Sequence, residues 1–374
     1  MEGDHIKICK ALLPFSWLYG MAVNLRNVLF DSGVLPSEKF DIPVICVGNI
    51  TAGGTGKTPH TEYLIRLLLA QNQVAVLSRG YKRKSKGYIL ARDDMPMKMI
   101  GDEPYQMKHK FPRIHMAVDK DRREGIRRLC DKKVWPATDV VLLDDAFQHR
   151  YVQAGINILL MDYHRLIYFD ELLPAGRLRE PRSSTQRADV VIVTKCPTYI
   201  TPMEEHGIAR SLGMQPWQKL FFTHFKYGAL HNIKDGSEIE LDDLRGEQYN
   251  VVLLTGIASP QQMEYDLKKY CNFTSIHFSD HHNFTDKDIQ RVKDTIQKVK
   301  ASGKKTIVIT TEKDATRLRD NKTSLVEGMD VYALPIEVEF LDERGNEFDQ
   351  LILNYVQTNS RNSDLQKKPD DNKA

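Results

Sequence analysis

The sequence predicts an α/β fold in which short apolar strands form a parallel sheet and are joined by helices. A first apolar run, residues 44–47, is followed by a glycine-rich loop and a helix-forming stretch at residues 63–70. A later apolar run, residues 140–143, ends in two aspartates. This order is typical of P-loop NTPase-like domains. We therefore predict such a domain, followed by a second, smaller α/β domain and preceded by an N-terminal amphipathic helix.

The glycine-rich loop carries groups suited to a nucleotide triphosphate. Its nucleotide-binding residues are predicted to be Thr51, Ala52, Gly53, Gly54, Thr55, Gly56, Lys57 and Thr58. Glycines let backbone N–H groups turn toward a polyphosphate, Lys57 can neutralise the outer phosphates, and the Thr58 hydroxyl can bind Mg²⁺. Thr51 stands where the usual pattern has glycine, and Gly48 lies three residues upstream. A glycine-rich hairpin turn is the alternative interpretation.

Length and composition indicate an ordinary folded protein with two domains. The chain has 374 residues, 41% of them hydrophobic and 28% charged, whereas one domain typically has ~100–200 residues. A net charge of +3 creates no field that would attract nucleic acid, so no nucleic-acid partner is expected. Five cysteines without Cys-x-x-Cys spacing argue against a disulfide framework or a thiolate zinc site. The predicted segments are an N-terminal helix (1–30), the P-loop domain (31–225), the smaller domain (226–358) and a disordered tail (359–374).

The N-terminal segment is predicted to lie on a membrane surface. Between Lys10 and Arg26 lie fifteen uncharged residues, fewer than the ~20 that span a bilayer. Apolar side chains recur there at helical spacing: Leu18, Met21, Ala22, Leu25 and Leu29. Flanking basic residues and such an apolar stripe are typical of helices in the headgroup region. A helix packed on its own domain, or in a dimer interface, is the alternative.

Polar residues follow several of the predicted strands. Arg79 follows the strand at residues 74–77, and a basic loop at residues 82–86 comes next. That loop suits an anionic substrate or phospholipid headgroups, although a solvated run of charges is an equal alternative. Asp102 and Glu103 follow Gly101 ahead of a predicted helix. Adjacent carboxylates can divide metal and proton chemistry, but acidic residues also commonly cap helices.

The acid pair Asp144 and Asp145 is the predicted second half of the nucleotide site. A carboxylate that ends a strand downstream of a P-loop holds Mg²⁺ or its waters. Gln148 and His149 lie just beyond, at a substrate-facing position for this architecture. Residues 173–182 show neither helical nor strand periodicity and contain arginines suited to a phosphate. The late strand at residues 190–193 continues with Thr194, where a guanine-specific GTPase would have asparagine, which disfavours guanine.

The second domain contains a histidine-rich segment, residues 277–284, directly after a predicted strand. A zinc site is one interpretation, but zinc on a helix requires regular i, i+4 pairs that face one way, and this segment follows a strand. A histidine beside an acid that orients or relays a proton is the preferred role.

Seven motifs in order resemble the tetraacyldisaccharide 4'-kinase family, the lipid A 4'-kinases of Gram-negative bacteria. They are VGNITAGGTGKTP (47–59), SRGY (78–81), GDEP (101–104), DDAFQH (144–149), LPAGRLREP (173–181), DHH (280–282) and TEKD (311–314). The resemblance covers about residues 10 to 318. Ala146 stands where the family often has glycine.

This resemblance implies transfer of the ATP γ-phosphate to the 4'-hydroxyl of tetraacyldisaccharide 1-phosphate, giving the 1,4'-bisphosphate of lipid A biosynthesis. It implies ATP and Mg²⁺ as cofactors and a place at the cytoplasmic face of the inner membrane, with that membrane surface as a partner. No protein partner is evident from the sequence. A P-loop switch that hydrolyses nucleotide, and a soluble small-molecule kinase, are the competing functions.

The resemblance also implies roles for individual residues. The catalytic base falls on Asp102 and its partner histidine on His281, so the second domain would close onto the first. The Mg²⁺ ligands fall on Thr58, Glu103, Asp144 and Asp145, with the inner-sphere aspartate left open. The positions expected to hold the phosphorylated sugar are Arg79, Arg122, Gln148, His149 and Arg177.

Overall fold

A computed structural model describes residues 8–246, 248–257, 260–280, 282–300, 304–320 and 328–366. Its strands are β1 (Val44–Gly48), β2 (Val74–Ser78), β3 (Ile89–Leu90), β4 (His115–Val118), β5 (Val140–Asp144), β6 (Ile156–Asp162), β7 (Val190–Thr194), β8 (Lys219–Tyr227), β9 (Leu230–Asn232), β10 (Glu238–Ile239), β11 (Tyr249–Thr255), β12 (Phe273–His277), β13 (Lys305–Thr311), β14 (Val331–Leu334) and β15 (Ile336–Phe340). Its α-helices are α1 (Leu13–Asp31), α2 (Lys57–Leu69), α3 (Met97–Ile100), α4 (Asp102–Lys110), α5 (Arg122–Leu129), α6 (Pro202–Leu212), α7 (Gln261–Leu267), α8 (Asp286–Val299), α9 (Glu312–Asp320) and α10 (Gly345–Gln366).

The larger sheet has the strand order β15-β8-β7-β6-β1-β5-β2-β4-β3. Its inner pairs are parallel, and antiparallel pairs occur at the two edges, β3 with β4 and β15 with β8. Strands β1, β2, β5 and β7 are buried along their whole length. Continuous apolar runs therefore form these strands because helices cover both faces of a parallel sheet. The predicted α/β fold is confirmed.

The sheet register brings the glycine-rich loop and the acid pair together. Val47 of β1 pairs with Asp144 of β5, so the loop after Gly48 and the acids at the end of β5 leave the same sheet edge. Strand β1 lies between β5 and β6, so two strands that are consecutive in the chain lie on opposite sides of β1 and leave a crevice at its end. In open α/β sheets such a crevice, outside the carboxyl ends of the strands, is the usual ligand site.

A second sheet, with the order β10-β9-β14-β13-β11-β12, forms the smaller unit. Strands β11 to β14 pair in parallel, as the predicted strand and helix series requires. The short strands β9 and β10 add an antiparallel edge within a region that the sequence indicated only as turn-rich. Helix α9 of this unit packs on α4 of the larger unit.

The predicted C-terminal bound of the smaller domain, at 358, is wrong. Strand β15 pairs antiparallel with β8 in the larger sheet, and α10 places Phe348, Ile352 and Val356 in the core of that sheet. The Tyr355 hydroxyl donates to Val44 O at the start of β1. Helix α10 also extends to Gln366, inside the tail predicted to be disordered from 359. The local pattern of these elements does not specify which sheet they join.

Helix α1 has one face on the protein and one face on solvent. Its buried residues are Ser16, Gly20, Val23 and Phe30. The predicted apolar stripe points outward, with Leu18, Met21 and Leu25 each more than 60% exposed. Among the described residues, no helix combines the length and the hydropathy required to cross a bilayer.

Candidate active site

The glycine-rich loop is shaped by two residues with positive φ. Gly53 has φ of 130° and Gly56 has φ of 80°, conformations that glycine adopts without steric cost. Gly56 is the N-cap of α2, which begins at Lys57, six residues before the predicted start. The free N–H groups of the first helical turn, with Lys57 and Thr58 among its residues, therefore face the position expected for a phosphate.

Thr51 fits the loop although the usual motif has glycine there. It is buried and forms an antiparallel bridge with Leu178. The Ala52 N–H donates to Arg177 O at 2.7 Å, and the Arg179 N–H donates to Ile50 O at 2.7 Å. This part of the loop is thus held as extended backbone against the 177–179 segment, so no left-handed glycine is required.

Lys195 is a loop contact that sequence reasoning missed. Its Nζ donates to Gly54 O at 2.5 Å and to Asp162 Oδ2 at 2.6 Å. The neighbouring Thr194 hydroxyl donates to Thr55 O at 3.0 Å. In a trans peptide the C=O and N–H point in opposite directions, so fixing these carbonyls directs the N–H groups of the same peptides to the inner side of the loop. In the sequence Lys195 directly follows Thr194, in the segment that lacks the guanine-binding asparagine, and no local pattern marks it as a loop contact.

Asp144 is a buried carboxylate in a strongly negative position. It accepts a hydrogen bond from the Ser78 hydroxyl at 3.0 Å. Burial, and then the charge of Asp145, raise the pKa of Asp144 to about 6, against the opposing effect of Lys57. Glu103 adds to the increase, so three of the four predicted metal-binding residues share one neighbourhood. Repulsion of this kind is relieved by a bound cation, although the described residues hold no preformed group of three or more metal ligands.

Asp145 is the acid that faces the cations of the site. Burial acts to raise its pKa, but Lys57 and Arg179 outweigh that effect and leave the pKa below its ordinary value. Lys57 Nζ lies 3.8 Å from Asp145 Oδ1, and Arg179 Nη2 lies 2.9 Å from the same oxygen. Asp145 also has φ of 48°, a sparsely populated conformation of the kind that clusters at functional sites.

Asp102 lies at the start of α4 and contacts the smaller unit. Gly101 precedes it with φ of 98°, and a Cβ there would lie 3.0 Å from Tyr81 O. Arg317 of α9 donates to Asp102 Oδ2 from Nε at 3.0 Å and from Nη2 at 2.6 Å. Sequence reasoning missed Arg317, which lies three residues beyond the last quoted motif.

Two more ion-pair contacts join α4 to α9. Lys313 Nζ lies 3.5 Å from Glu103 Oε1. Lys110 Nζ lies 2.6 Å from Glu312 Oε1 and 2.7 Å from the buried Glu62 of α2. The smaller unit therefore docks by complementary charges beside both predicted acids of the Gly-Asp-Glu-Pro motif.

The predicted partner histidine, His281, lies outside the described residues. Its neighbour His282 is 2.9 Å from Asp288 Oδ2 through Nε2 and stacks on the Phe278 ring at 4.6 Å. The Asp288 contact thus holds His282 at the N-terminus of α8. No group of three or more metal-ligating side chains is found in the part of the chain that the structure describes.

Three of the five predicted sugar-binding residues lie together. Burial, with Arg79 contributing, lowers the pKa of Arg122 while Asp144 opposes the shift. The Arg122 N–H donates to His149 Nε2 at 3.3 Å. Burial and then Arg122 lower the pKa of His149 to about 4, so this ring is neutral at pH 7 and accepts through Nε2.

The other two predicted sugar-binding residues are placed differently. The Gln148 side-chain amide donates to Asn49 O at 2.8 Å, which supports the corner between β1 and the loop. The Arg177 backbone carbonyl accepts a hydrogen bond from the Ala52 N–H, and the Arg177 side chain is exposed. Neither contact brings the side chain to the Arg79, Arg122 and His149 group.

The fold and this site together define a P-loop nucleotide-binding protein with a second α/β unit docked against α4. A family model described as LpxK, tetraacyldisaccharide-1-P 4'-kinase, matches residues 8–357. The chain belongs to the tetraacyldisaccharide-1-P 4'-kinase family, which confirms the predicted family.

Individual relatives agree over their full length. A tetraacyldisaccharide 4'-kinase of Phocaeicola vulgatus is 54% identical over 98% of this chain and 100% of its own. One from Bacteroides fragilis is 50% identical over 100% of both chains. The crystal structure of LpxK from Aquifex aeolicus in complex with ATP is 31% identical, covers 92% of this chain and 98% of its own, and superposes with a TM-score of 0.71.

Proposed function

We propose that the chain transfers the γ-phosphate of ATP to the 4'-hydroxyl of tetraacyldisaccharide 1-phosphate in lipid A biosynthesis. The observation that carries this proposal is the loop geometry in a member of this family: Lys57 Nζ lies 3.8 Å from Asp145, where β1 and β5 end. Phosphoryl transfer depends on positioning and charge neutralisation. A lysine, an acid pair and a helix N-terminus at one sheet edge supply both.

Asp102 is proposed as the general base. Its carboxylate would accept the proton of the 4'-hydroxyl as the sugar oxygen bonds to the γ-phosphorus. At the same time the bond from that phosphorus to its bridging oxygen breaks, and ADP leaves. A carboxylate suffices here because the nucleophile is positioned rather than strongly activated. The position of Asp102 at the N-terminus of α4, beside Glu103, supports this assignment.

Mg²⁺ fits the residues at this edge. Thr58 offers a hydroxyl on the first turn of α2, and Asp144, Asp145 and Glu103 offer carboxylates. Burial, and then the charges of Asp145 and Glu103, raise the pKa of Asp144. A bound Mg²⁺ supplies charge neutralisation of the phosphates. Asp145 is already paired with Lys57 and Arg179, so Asp144 is the better candidate for the ion or its waters.

The phosphorylated sugar is proposed to bind at the group formed by Arg79, Arg122 and His149. Arg122 is 2% exposed, and its Nε has no hydrogen-bond partner among the described residues. Burial of an under-satisfied guanidinium is costly unless an anion or polar ligand completes it. A sugar that carries phosphate is such a ligand.

The enzyme is further proposed to work at the cytoplasmic face of the inner membrane, with α1 in the headgroup region. Its outward face exposes six large apolar side chains, which are Phe15, Trp17, Leu18, Met21, Leu25 and Val28. A contiguous apolar face of this kind is typical of membrane contact. A lipid-borne substrate is reached most directly from that position.

The reaction is tested by mass analysis of the disaccharide 1-phosphate before and after incubation with the protein and MgATP. The expected result is one added phosphate, with none for Lys57→Ala. Steady release of inorganic phosphate from ATP without any glycolipid would instead favour a nucleotide-driven switch.

Membrane contact is tested by sedimentation with vesicles of phosphatidylethanolamine and phosphatidylglycerol. The double variant Trp17→Ser and Leu18→Ser should remain in the supernatant more than the unaltered protein. Trp135→Ser is the matched control, because Trp135 is 88% exposed and lies outside α1. Equal partitioning of all three proteins would favour a soluble small-molecule kinase.

A further inference from the structure

Arg317 is a buried cation at the contact between the two units. It is 1% exposed and lies on α9, yet it directs two N–H groups at one carboxylate oxygen of Asp102, on α4. A guanidinium that donates two charge-assisted hydrogen bonds specifies both distance and orientation.

Other residues of the smaller unit fix the orientation of the Arg317 guanidinium. Arg317 Nη1 donates to Asp314 Oδ1 at 2.9 Å and to Gly256 O at 3.3 Å. Asp314 is itself fully buried. It accepts the Gly256 N–H at 2.8 Å and the Thr311 hydroxyl at 2.8 Å. Arg317 is therefore oriented by β13 and by the end of β11, whichever way Asp102 points.

The larger unit holds Asp102 from its own side. Asp102 is the first residue of α4, and the positive φ of Gly101 sets the direction in which the helix leaves. Neither unit forms the Arg317 and Asp102 contact alone. The contact exists only when α9 docks on α4.

We propose that Arg317 is a positioning residue for phosphoryl transfer, holding the Asp102 carboxylate in the orientation in which it accepts the hydroxyl proton. The smaller unit thereby contributes to the active site through Arg317. This inference rests on the proposed function, and in particular on Asp102 as the base.

The interface offers a control for a merely structural role. Glu312 forms another ion pair between α9 and α4, with Lys110 at 2.6 Å, and lies on the same helix as Arg317. If Arg317 only stabilised the contact between the two units, Glu312→Gln and Arg317→Gln would change kcat by similar factors.

The experiment compares kcat and both KM values for the full-length variants Arg317→Gln, Arg317→Lys and Glu312→Gln. We expect Arg317→Gln to lower kcat by about 100-fold, the cost of a misplaced catalytic group, with both KM values within about twofold. Arg317→Lys should recover part of kcat, since lysine keeps the charge but not the fork of N–H groups. Glu312→Gln should stay within about twofold in kcat, because it leaves Asp102 oriented.

A double-mutant cycle with Asp102→Asn completes the test. Because Arg317 acts through Asp102, adding Arg317→Gln to Asp102→Asn should cause little further loss of kcat. An Arg317→Gln kcat within twofold of the unaltered protein, or a double variant whose loss is the product of the single losses, overturns the inference. If Arg317→Gln does not fold, Asp314→Asn is the substitute, because it weakens the contact that orients the Arg317 guanidinium. This variant should lower kcat with unchanged KM values. An unchanged kcat in Asp314→Asn overturns the inference.

Failure of the proposed function has a different signature. Full turnover in Asp102→Asn refutes the base assignment, and unaltered protein that adds no phosphate refutes the kinase reaction. Inactive Asp102→Asn with fully active Arg317→Gln refutes the positioning role alone.

Discussion

Replacing Lys195 with methionine is expected to weaken ATP binding while leaving the fold intact. The Lys195 ammonium joins Gly54 O, at 2.5 Å, to Asp162 Oδ2, at 2.6 Å. Methionine keeps the length of the apolar stem and, like lysine, pays the cost of the positive φ of 58° at this position. The substitution therefore removes the two charge-assisted hydrogen bonds and little else.

The expected size of the effect follows from these contacts. A hydrogen bond to a charged group contributes about 1.5–3 kcal/mol, and only the Gly54 contact acts on the loop. The Lys195 side chain is 19% exposed, so water weakens the interaction and the lower part of that range applies. A loss of about 1.5–2 kcal/mol corresponds to a roughly 10- to 30-fold higher Kd for ATP.

The assay is isothermal titration of ATP into the protein, combined with the KM for the glycolipid. ATP affinity should fall while the glycolipid KM stays within about twofold. Lys219→Met is the matched control, because Lys219 is a 53% exposed lysine with one 3.5 Å contact to Glu347. An ATP Kd for Lys195→Met equal to that of the control would refute the reasoning. The loop would then be supported sufficiently by Thr194 and by the Asn49 side-chain amide, which donates to the Thr55 hydroxyl at 2.7 Å.

Four further predictions concern the loop, the acid pair and the C-terminal helix. Lys57→Ala should lower kcat/KM at least about 100-fold by removing a phosphate-neutralising cation, with an unchanged circular dichroism spectrum; near-normal turnover would contradict the site. Because the pKa of Asp144 is raised to about 6, Asp144 becomes protonated as the pH falls below that value. Mg²⁺ binding should then weaken by up to about tenfold per pH unit. Turnover measured as a function of Mg²⁺ concentration at several pH values tests this. The raised pKa also means that ionised Asp144 lowers the free energy of unfolding above pH 6, whereas below the ordinary pKa of aspartate the residue is protonated in both states and has no such effect. Asp144→Asn should therefore raise Tm more at pH 7.5 than at pH 4. Gly155→Ala would place a Cβ 2.0 Å from the Tyr355 hydroxyl oxygen and should lower the free energy of unfolding by about 1–3 kcal/mol in urea titration; no loss would mean that α10 does not pack there.

Much of the nucleotide site could be predicted because it depends on local rules. The strand, loop and helix at residues 44–69 follow one another in the chain, and the carboxyl ends of neighbouring parallel strands meet at one sheet edge. Asp144 therefore had to lie near the loop once β1 and β5 were recognised as neighbours, and Val47 does pair with Asp144. Periodicity also identified α1 and the strands of the smaller unit.

Other contacts depend on how distant segments dock, and no local pattern encodes that. Lys195 and Gly54 are 141 positions apart, and Arg317 and Asp102 are 215 apart. The return of β15 and α10 to the larger sheet has the same origin, because an apolar strand can complete either of two sheet edges. The sequence by itself thus determined the phosphate loop, the acid pair and the family, since those rest on contiguous motifs. Only the tertiary structure decided which side chains orient that loop and the proposed base, because their partners are chosen by packing between units.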